Sequence, residues 1–353
     1  MPYNLGMTEI TLALPYALPP PEMASDLLRA LQMPALAALL SRNSEFHFYN
    51  TQDADRALPH ETWLAHALAL TPAASGAGLP LAVAVMRGLG LQAEAADGHW
   101  FMLQPTHIQL SRTHMLLADP RQLHLSDPES RTLYELARPL FESLGKPLLY
   151  GDASLWFVRA DDWSGLDTAS PDAAAMQSVG DFMPEGERAR DYRKLQNEIQ
   201  MLWHEHPVNQ ARQARGLAAV NSFWLWGGAD ATATAATVAL SIGGGPAWMQ
   251  ALAAPELRRP SAAQLIALPG AQTAMLPELI PSAQTGDWSD WIARMRRIED
   301  EWCAPLLAAL NDGRIGRVTL MLSRRNGWMS VSGGKLAQRK FWRKPTLNYL
   351  KQA

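Results

Sequence analysis

The stretch Asn197–Gly228 (NEIQMLWHEHPVNQARQARGLAAVNSFWLWGG) joins a long helix to a short helix and then to an apolar strand. Apolar side chains recur at spacings of three or four over Glu187–His206, which predicts a helix with one buried face. The side chains at this spacing are Tyr192, Leu195, Ile199, Leu202 and His206. Pro207 ends the helix because proline cannot continue the hydrogen-bond ladder. Val208–Arg215 predicts a second helix, and Asn221–Trp226 predicts a buried strand.

Helix and strand patterns alternate along the rest of the chain. The predicted strands are Glu9–Pro15, short runs within His99–Leu125, a pair within Pro147–Ala160, Thr234–Ile242, Gln264–Leu268, Gly316–Ser323 and Trp328–Ser332. The predicted helices are Met23–Gln32, Pro34–Asn43, Pro59–Leu70, Leu79–Leu91, Asp127–Leu144, Pro246–Ala254 and Asp287–Leu310. This alternation predicts an α/β sandwich, in which a mostly parallel sheet carries helices on both faces.

Composition excludes several classes of protein. The 353 residues are 48% apolar and 18% charged, which is typical of a globular chain with a large core. One cysteine leaves no disulfide framework and no cysteine-based metal site. No apolar run is long enough for a membrane span, and Met1–Glu22 lacks the pattern of a signal peptide. We therefore expect a soluble, cytoplasmic protein that does not bind membranes.

The C-terminal part of the chain is strongly basic. Gly313–Ala353 contains ten Lys or Arg residues and no Asp or Glu, although the net charge of the whole chain is −3. The segment Gln338–Pro345 (QRKFWRKP) interleaves cations with aromatic residues: Arg339, Lys340, Phe341, Trp342, Arg343 and Lys344. This pattern suits stacking on nucleic-acid bases, and it equally suits two aromatic anchors whose neighbouring cations remain in water. Anchoring is the favoured interpretation, so a nucleic-acid partner is not expected.

The densest group of candidate binding residues follows the long helix. His206, Asn209, Arg212, Arg215 and Asn221 lie within sixteen residues of each other and supply several hydrogen-bond donors. They predict a pocket for an anionic ligand, such as a phosphorylated or carboxylated metabolite. In the alternative, His206 and Asn209 hold the helix junction and the arginines are solvated.

Other candidate sites are weaker. His204 and His206 point to different faces of a helix, and no HExxH or comparable motif is present, so we expect neither a metal nor a cofactor. Gly243–Gly245 follows a predicted strand but matches no phosphate-binding fingerprint and predicts a turn. Cys303 falls in an amphipathic helix and predicts a core residue.

The residues of Asn197–Gly228 also carry a resemblance to known families. The pattern HPVNxxRxxRGLxxxNSxWLWGG resembles RpfE-type regulatory proteins and, more distantly, archaeal-type cofactor-independent phosphoglycerate mutases. The RpfE-type resemblance extends to LQNEIQMLWHEHPVN, MPALAALL and the terminal FWRK. The mutases belong to the alkaline-phosphatase superfamily, so the resemblance implies an alkaline-phosphatase-like sandwich. It also implies a hydroxyl nucleophile and two metals held by Asp and His.

The chain departs from that superfamily where its chemistry would lie. The first strand is followed by Pro15-Tyr16-Ala17 instead of a metal-binding Asp. Pro59–Leu64 (PHETWL) has no serine in place of the nucleophile, and Leu320–Ser323 (LMLS) ends a late strand that should carry Asp-His. All nine histidines lie between His47 and His206, which removes the remaining ligands. The scaffold is therefore predicted to be degenerate.

These observations lead to one preferred function and two alternatives. The preferred function is a non-catalytic regulatory protein that binds an anionic metabolite or a protein partner. The first alternative is an active phosphoglycerate mutase-like isomerase, and the second is a nucleic-acid-binding regulator that uses the basic tail. The predicted domains are a core (1–90 and 205–335), an inserted α+β lobe (91–204) and a basic C-terminal segment (336–353).

Overall fold

The computed structural model describes residues 7–111, 115–236 and 238–351. It divides into two compact units. The first unit comprises the described residues of Met1–Gln52 and Thr237–Ala353, and the second comprises those of Asp53–Ala236. The second unit is therefore an insertion between two halves of the first.

The strands of the described residues are numbered in chain order. They are β1 (Glu9–Leu14), β2 (Glu45–Asn50), β3 (His99–Thr106), β4 (Ile108–Leu110), β5 (Met115–Leu117), β6 (Leu148–Asp152), β7 (Leu155–Arg159), β8 (Ser222–Asp230), β9 (Leu240–Ile242), β10 (Ala271–Met275), β11 (Arg317–Arg324) and β12 (Gly327–Gly334).

The α-helices of the same residues are numbered likewise. They are α1 (Pro21–Ala30), α2 (Pro34–Ser41), α3 (Pro59–Ala67), α4 (Ala82–Gly88), α5 (Asp127–Ser143), α6 (Pro171–Ala174), α7 (Val179–Phe182), α8 (Ala189–His204), α9 (Pro207–Ala214), α10 (Ala247–Ala251), α11 (Ala262–Ala267), α12 (Ile280–Thr285), α13 (Trp288–Ile298), α14 (Ala304–Asp312) and α15 (Lys335–Gln338). A π-helical turn, Glu299–Cys303, joins α13 to α14. Short 3₁₀ helices cover Glu94–Ala96, Pro120–Leu123, Asp161–Trp163, Pro255–Leu257, Pro277–Leu279 and Asn348–Lys351.

The first unit is built on a six-stranded sheet with the order β2-β12-β11-β1-β10-β9. Strands β9, β10, β1 and β11 are parallel, while β12 runs antiparallel to both β11 and β2. The central strand β1 is apolar and buried after its first residues, as is typical of a parallel strand covered on both sides. Helix α14 contacts β11, and α2 contacts β12. This mixed α/β unit with a mostly parallel sheet confirms the predicted fold class.

The second unit contains a four-stranded antiparallel sheet with the order β6-β7-β3-β8. Helices α5 and α8 contact each other, and α8 also contacts β8. The core between them is rich in aromatic residues, and Trp156, Trp163 and Trp203 are fully buried in it. This accounts for much of the high tryptophan content of the chain, because each indole removes a large apolar area from water.

The two glycines that end WLWGG are required by close packing in β8. Gly227 has a φ of 72°, and a Cβ there would lie 2.4 Å from Met102 Cε. A Cβ on Gly228 would lie 2.4 Å from the Phe101 ring. The register between β3 and β8 also shifts between Trp100 and Met102. At Gly227 the positive φ disfavours any other residue, and at Gly228 a side chain would have to displace the Phe101 ring.

Several predicted elements differ from the structure. Gln264–Leu268 was expected to be a strand, but Ala262–Ala267 is helix α11, and the strand is Ala271–Met275. Ser261 caps this helix, because its side chain accepts a hydrogen bond from the Gln264 amide. In the described residues of the predicted strand at Thr234–Ile242, the segment Leu240–Ile242 forms β9 and the rest is not a strand.

The long helix before Pro207 is confirmed as α8, with one correction to its buried face. Tyr192, Leu195 and Ile199 are buried as predicted. Leu202, however, is 37% exposed, and Trp203 occupies the buried position instead. The edge strand β2 was not predicted: it is short and none of its residues is fully buried, although Phe46 and Phe48 alternate with Glu45 and His47.

The unit boundaries also differ from the predicted domains. The inserted unit begins at Asp53 and ends at Ala236, so it includes residues 53–90 and 205–236 that were expected in the core. The reason is long-range pairing: β8 pairs with β3 and so belongs with the inserted sheet. The C-terminal segment belongs to the first unit and does not form a separate part.

Within residues 7–111, 115–236 and 238–351, none of the helices is both long enough and apolar enough to cross a lipid bilayer.

Candidate functional site

The predicted anion-binding residues lie at the junction of α8, α9 and β8. His206 caps α9, and its Nδ1 accepts a hydrogen bond from the Val208 amide at 3.3 Å. Asn209 is 1% exposed, and its Nδ2 donates to the carbonyls of Trp203 and Val220, both at 2.8 Å. Its Oδ1 accepts from the Val220 amide at 2.8 Å. The Asn209 amide thus pins the end of α8 to the start of β8.

The two arginines of α9 share one carboxylate. Arg212 is fully buried, and it donates to Glu129 Oε2 at 2.9 Å and to the carbonyls of Ala218 and Leu123. Arg215 is half exposed and pairs with the other oxygen of Glu129. Partial burial raises the pKa of Glu129, but hydrogen bonds from Ser126 and Arg215 and the charge of Arg212 outweigh this effect. The pKa of Glu129 is therefore lowered to about 2. Glu129 is therefore a permanent anion that neutralises both arginines.

Asn221 completes the junction. Its Oδ1 accepts from the Ile108 amide and its Nδ2 donates to the Ile108 carbonyl, both at 2.8 Å. The side chain thus fixes β4 beside the start of β8. Asn209, Arg212 and Asn221 are engaged by protein groups, so the contacts favour the alternative in which these residues hold the junction. That alternative also expected solvated arginines, but Arg212 is fully buried.

Sequence reasoning missed Glu129, although a signal for it was present. Ser126 and Glu129 form an S-x-x-E capping box at the start of α5, in which Glu129 accepts from the Ser126 amide at 3.0 Å. What the motif could not show is that the same carboxylate meets Arg212 across 83 residues of chain.

The ends of the parallel strands in the first unit are the usual place for a ligand in an open α/β sheet. Here β1 and β11 lie side by side, with Leu14 opposite Leu322. Tyr16 follows β1 with a φ of 60°, which is unusual for a bulky side chain. Its amide donates to Ser323 Oγ at 3.3 Å, and its carbonyl accepts from Trp291 Nε1 at 2.9 Å. These contacts fix the strained turn after β1.

The residues at these strand ends do not fit two divalent metal ions. Pro15, Tyr16, Ala17 and Ser323 bring neutral side chains, and β9 runs into three glycines. The first carboxylate after β10 is that of Glu278, which pairs with Arg297 at 3.0 Å. Among the residues that the structure describes, no three His, Cys, Asp or Glu side chains are grouped as metal ligands. We therefore derive no catalytic step through a metal.

The second unit contains an open cavity of about 680 Å³ near the start of β3 and the end of β8. Its polar lining includes His99, Asp167, Asp230 and the hydroxyls of Thr71, Ser164 and Thr232. Among the residues that the structure describes, neither lysine nor arginine lines it, and neither do any of the five predicted anion-binding residues. A phosphate or carboxylate ligand would therefore meet carboxylates here instead of cations.

The polar groups of this cavity are held by local contacts. Asp230 Oδ1 accepts from the amide and hydroxyl of Thr232, and these bonds lower the pKa of Asp230. Asp167 accepts from the Gly78 amide at 2.8 Å and pairs with the buried Arg56 at 2.9 Å. Burial lowers the pKa of His99 despite the nearby carboxylates Asp230 and Asp161. His99 is thus a neutral imidazole at neutral pH.

A second ionisable group lies deeper in the same unit, where the lost nucleophile motif was placed. Burial lowers the pKa of His60 to about 3, and burial with the Asp172 charge raises the pKa of Glu61 to about 8. Glu61 Oε2 accepts from the Leu58 amide and Ser170 Oγ. Both side chains are inaccessible, so they cannot meet a substrate in this conformation.

The remaining predicted residues lie in the tail. Lys340 Nζ donates to the Asn43 carbonyl at 2.7 Å, and Arg343 donates to the Ser41 carbonyl at 3.3 Å. Phe341 is 81% exposed and Trp342 is 67% exposed. The favoured interpretation was therefore wrong: two cations anchor the segment and the aromatics face solvent. Arg339 and Lys344 are exposed too.

Comparison with known proteins finds sequence similarity over part of the chain. No family model matches this chain. A stretch of 143 residues is 26% identical to a probable 2,3-bisphosphoglycerate-independent phosphoglycerate mutase of Geobacter sulfurreducens. It covers 39% of this chain and 35% of that protein, so the match spans about a third of the length of the curated relative.

Solved structures give similarity over nearly the whole chain. The PH0037 protein of Pyrococcus horikoshii superimposes with a TM-score of 0.53 at 10% identity, covering 94% of this chain and 88% of that one. The cofactor-independent phosphoglycerate mutase of Thermoplasma acidophilum gives a TM-score of 0.46 at 14% identity, covering 99% and 95%. The similarity to PH0037 shows a shared fold, and the sequence match supports a phosphoglycerate mutase-like scaffold.

Proposed function

We propose that this protein is a non-catalytic regulatory protein of the RpfE type, built on a phosphoglycerate mutase-like scaffold. The observation that carries the proposal is the chemistry of the strand ends. Where the superfamily holds its metals, β1 and β11 meet at Tyr16 and Ser323, which are neutral and bonded to each other. Two-metal phosphoryl transfer needs anionic and imidazole ligands at such a position.

The proposed ligand is a small metabolite bound in the cavity of the second unit. Asp167, Asp230 and the neutral His99 supply hydrogen-bond acceptors, and the threonine and serine hydroxyls supply both donors and acceptors. This set suits a neutral polyhydroxylated or amine-bearing molecule. It replaces the anionic metabolite expected from the sequence, because the arginines expected to bind an anion are already paired with Glu129.

Catalysis can be tested directly. The purified protein would be supplied with Mn²⁺ or Co²⁺ and assayed for interconversion of 3- and 2-phosphoglycerate, in parallel with metal analysis. We expect no turnover above the buffer control and no stoichiometric metal. Turnover that is abolished by EDTA would instead establish the active isomerase.

The ligand can be tested by thermal shift, because a molecule that binds only the native state raises the apparent stability. Polyols and small amines should raise the melting temperature, whereas phosphorylated metabolites should not. Asp230→Asn should remove the shift. Asp97→Asn is the matched control, since Asp97 pairs with Arg159 and does not line the cavity. A shift produced only by phosphorylated compounds would contradict this ligand class.

A further inference from the structure

The tail segment Arg339–Lys344 presents an exposed pair of aromatic rings. Phe341 and Trp342 are 81% and 67% exposed. Their centroids lie 5.2 Å apart, with the rings nearly perpendicular at 83°. Burying a large apolar side chain is favourable by roughly 1.5–3 kcal/mol, so leaving two adjacent aromatics in water is costly unless something covers them.

The segment is held in place, not trailing in solvent. Lys340 and Arg343 donate to the carbonyls of Asn43 and Ser41. The Thr346 amide donates to Ser41 Oγ at 2.9 Å on the C-terminal side. The segment is thus tied on both sides of the aromatic pair to the C-terminal end of α2 and to Asn43. A partner would meet a preorganised surface and lose less entropy on binding.

The charge of the segment is not neutralised by the rest of the described chain. Arg339, Lys340, Arg343 and Lys344 form no ion pair with any Asp or Glu of residues 7–111, 115–236 or 238–351. The bonds that Lys340 and Arg343 make go to neutral oxygens instead. Four positive charges thus lie beside two uncovered rings, and none of the four is paired with a carboxylate of the described chain.

We propose that this segment binds single-stranded nucleic acid. A single strand satisfies both features at once, because its phosphates pair with the four cations and its unpaired bases stack on the two rings. A duplex hides its base faces, and an acidic peptide offers charge without flat faces. A membrane offers charge, but only two aromatic side chains stand between the flanking cations, which is a small apolar surface for insertion.

The test uses the full chain and labelled single-stranded oligonucleotides, oligo(dT) and oligo(U) of about fifteen nucleotides, in fluorescence anisotropy. Four phosphate contacts predict that log K falls against log salt with a slope of about −3, since single strands give roughly −0.7 per contact. Phe341→Ala and Trp342→Ala should each weaken binding by about tenfold. Circular dichroism would verify that the variants are folded.

Leu336→Ala is the matched control, because Leu336 is 76% exposed in the same part of the chain but cannot stack on a base. It should leave the affinity within about twofold. Three results would overturn the proposal: no binding at low salt, equal affinity for both aromatic variants and the unaltered chain, or binding only to phosphatidylserine vesicles. The proposal is independent of the metabolite site, which lies among other residues.

Discussion

The arginines of α9 and the cations of the tail both form short basic clusters in the sequence, but they differ in their surroundings. Arg212 and Arg215 meet Glu129, which arrives from the start of α5 and pairs with both. Arg343 and Lys340 find only carbonyl oxygens, although the chain as a whole contains more acidic than basic residues. A basic cluster therefore has a structural role where a carboxylate packs against it. Where no carboxylate packs against the cluster, its charges remain available to a partner.

Of the substitutions that test this comparison, Arg212→Met should lower the free energy of unfolding the most. Arg212→Met leaves Glu129 with one fewer partner and leaves the Leu123 and Ala218 carbonyls without a donor. Breaking a buried ion pair in this way should lower the free energy of unfolding by about 3–5 kcal/mol. Urea denaturation measures the change. Arg193→Met, at an exposed position of α8, is the control and should stay within about 0.5 kcal/mol.

Asn209 tests whether the junction depends on hydrogen bonds as well as charge. Asn209→Ala leaves the Trp203 and Val220 carbonyls without their donor and the Val220 amide without its acceptor. We expect a loss of about 2–4 kcal/mol in denaturant unfolding, because these groups are buried. Gln210→Ala should be nearly neutral, since that side chain is exposed. Equal stability of the two variants would show that the junction tolerates the loss.

The buried Glu61 predicts that stability falls as the pH rises. Its folded-state pKa is about 8 against an ordinary value of 4.5, so between these values the folded state holds one more proton than the unfolded state. The free energy of unfolding should then fall by about 1.4 kcal/mol per pH unit, or about 2 kcal/mol from pH 5.5 to 7.0. Glu61→Gln should flatten this dependence, because a neutral amide can still accept from Leu58 and Ser170.

Substitution of Arg343 in the tail should change the free energy of unfolding the least. Its bonds to the Ser41 and Asn43 carbonyls are long and lie at the surface, so Arg343→Met should lower the free energy of unfolding by less than about 1 kcal/mol. The same denaturation experiment measures it. A loss as large as that of Arg212→Met would mean that the tail is as structural as the junction.

Local sequence patterns predicted much of the fold. The helix before Pro207, the capping box at Ser126 and the hairpin of β11 and β12 depend on residues within a few positions of each other. Local signals failed where two states compete over a short span, as at Gln264–Leu268, where the capping serine decided for helix. They also missed β2, a short edge strand in which none of the residues is fully buried.

The sequence by itself determined that no histidine lies beyond His206, because an absent residue type cannot be supplied by folding. It also determined that the tail is basic and aromatic. Only the tertiary structure decided which charges are neutralised, since Glu129 and Arg212 are 83 positions apart. Likewise, only the packing of Ser41 and Asn43 against the tail decided that two of its cations, Lys340 and Arg343, donate to backbone carbonyls. The same packing leaves the rings of Phe341 and Trp342 exposed. Charge pairing and burial depend on long-range contacts, which a local pattern does not contain.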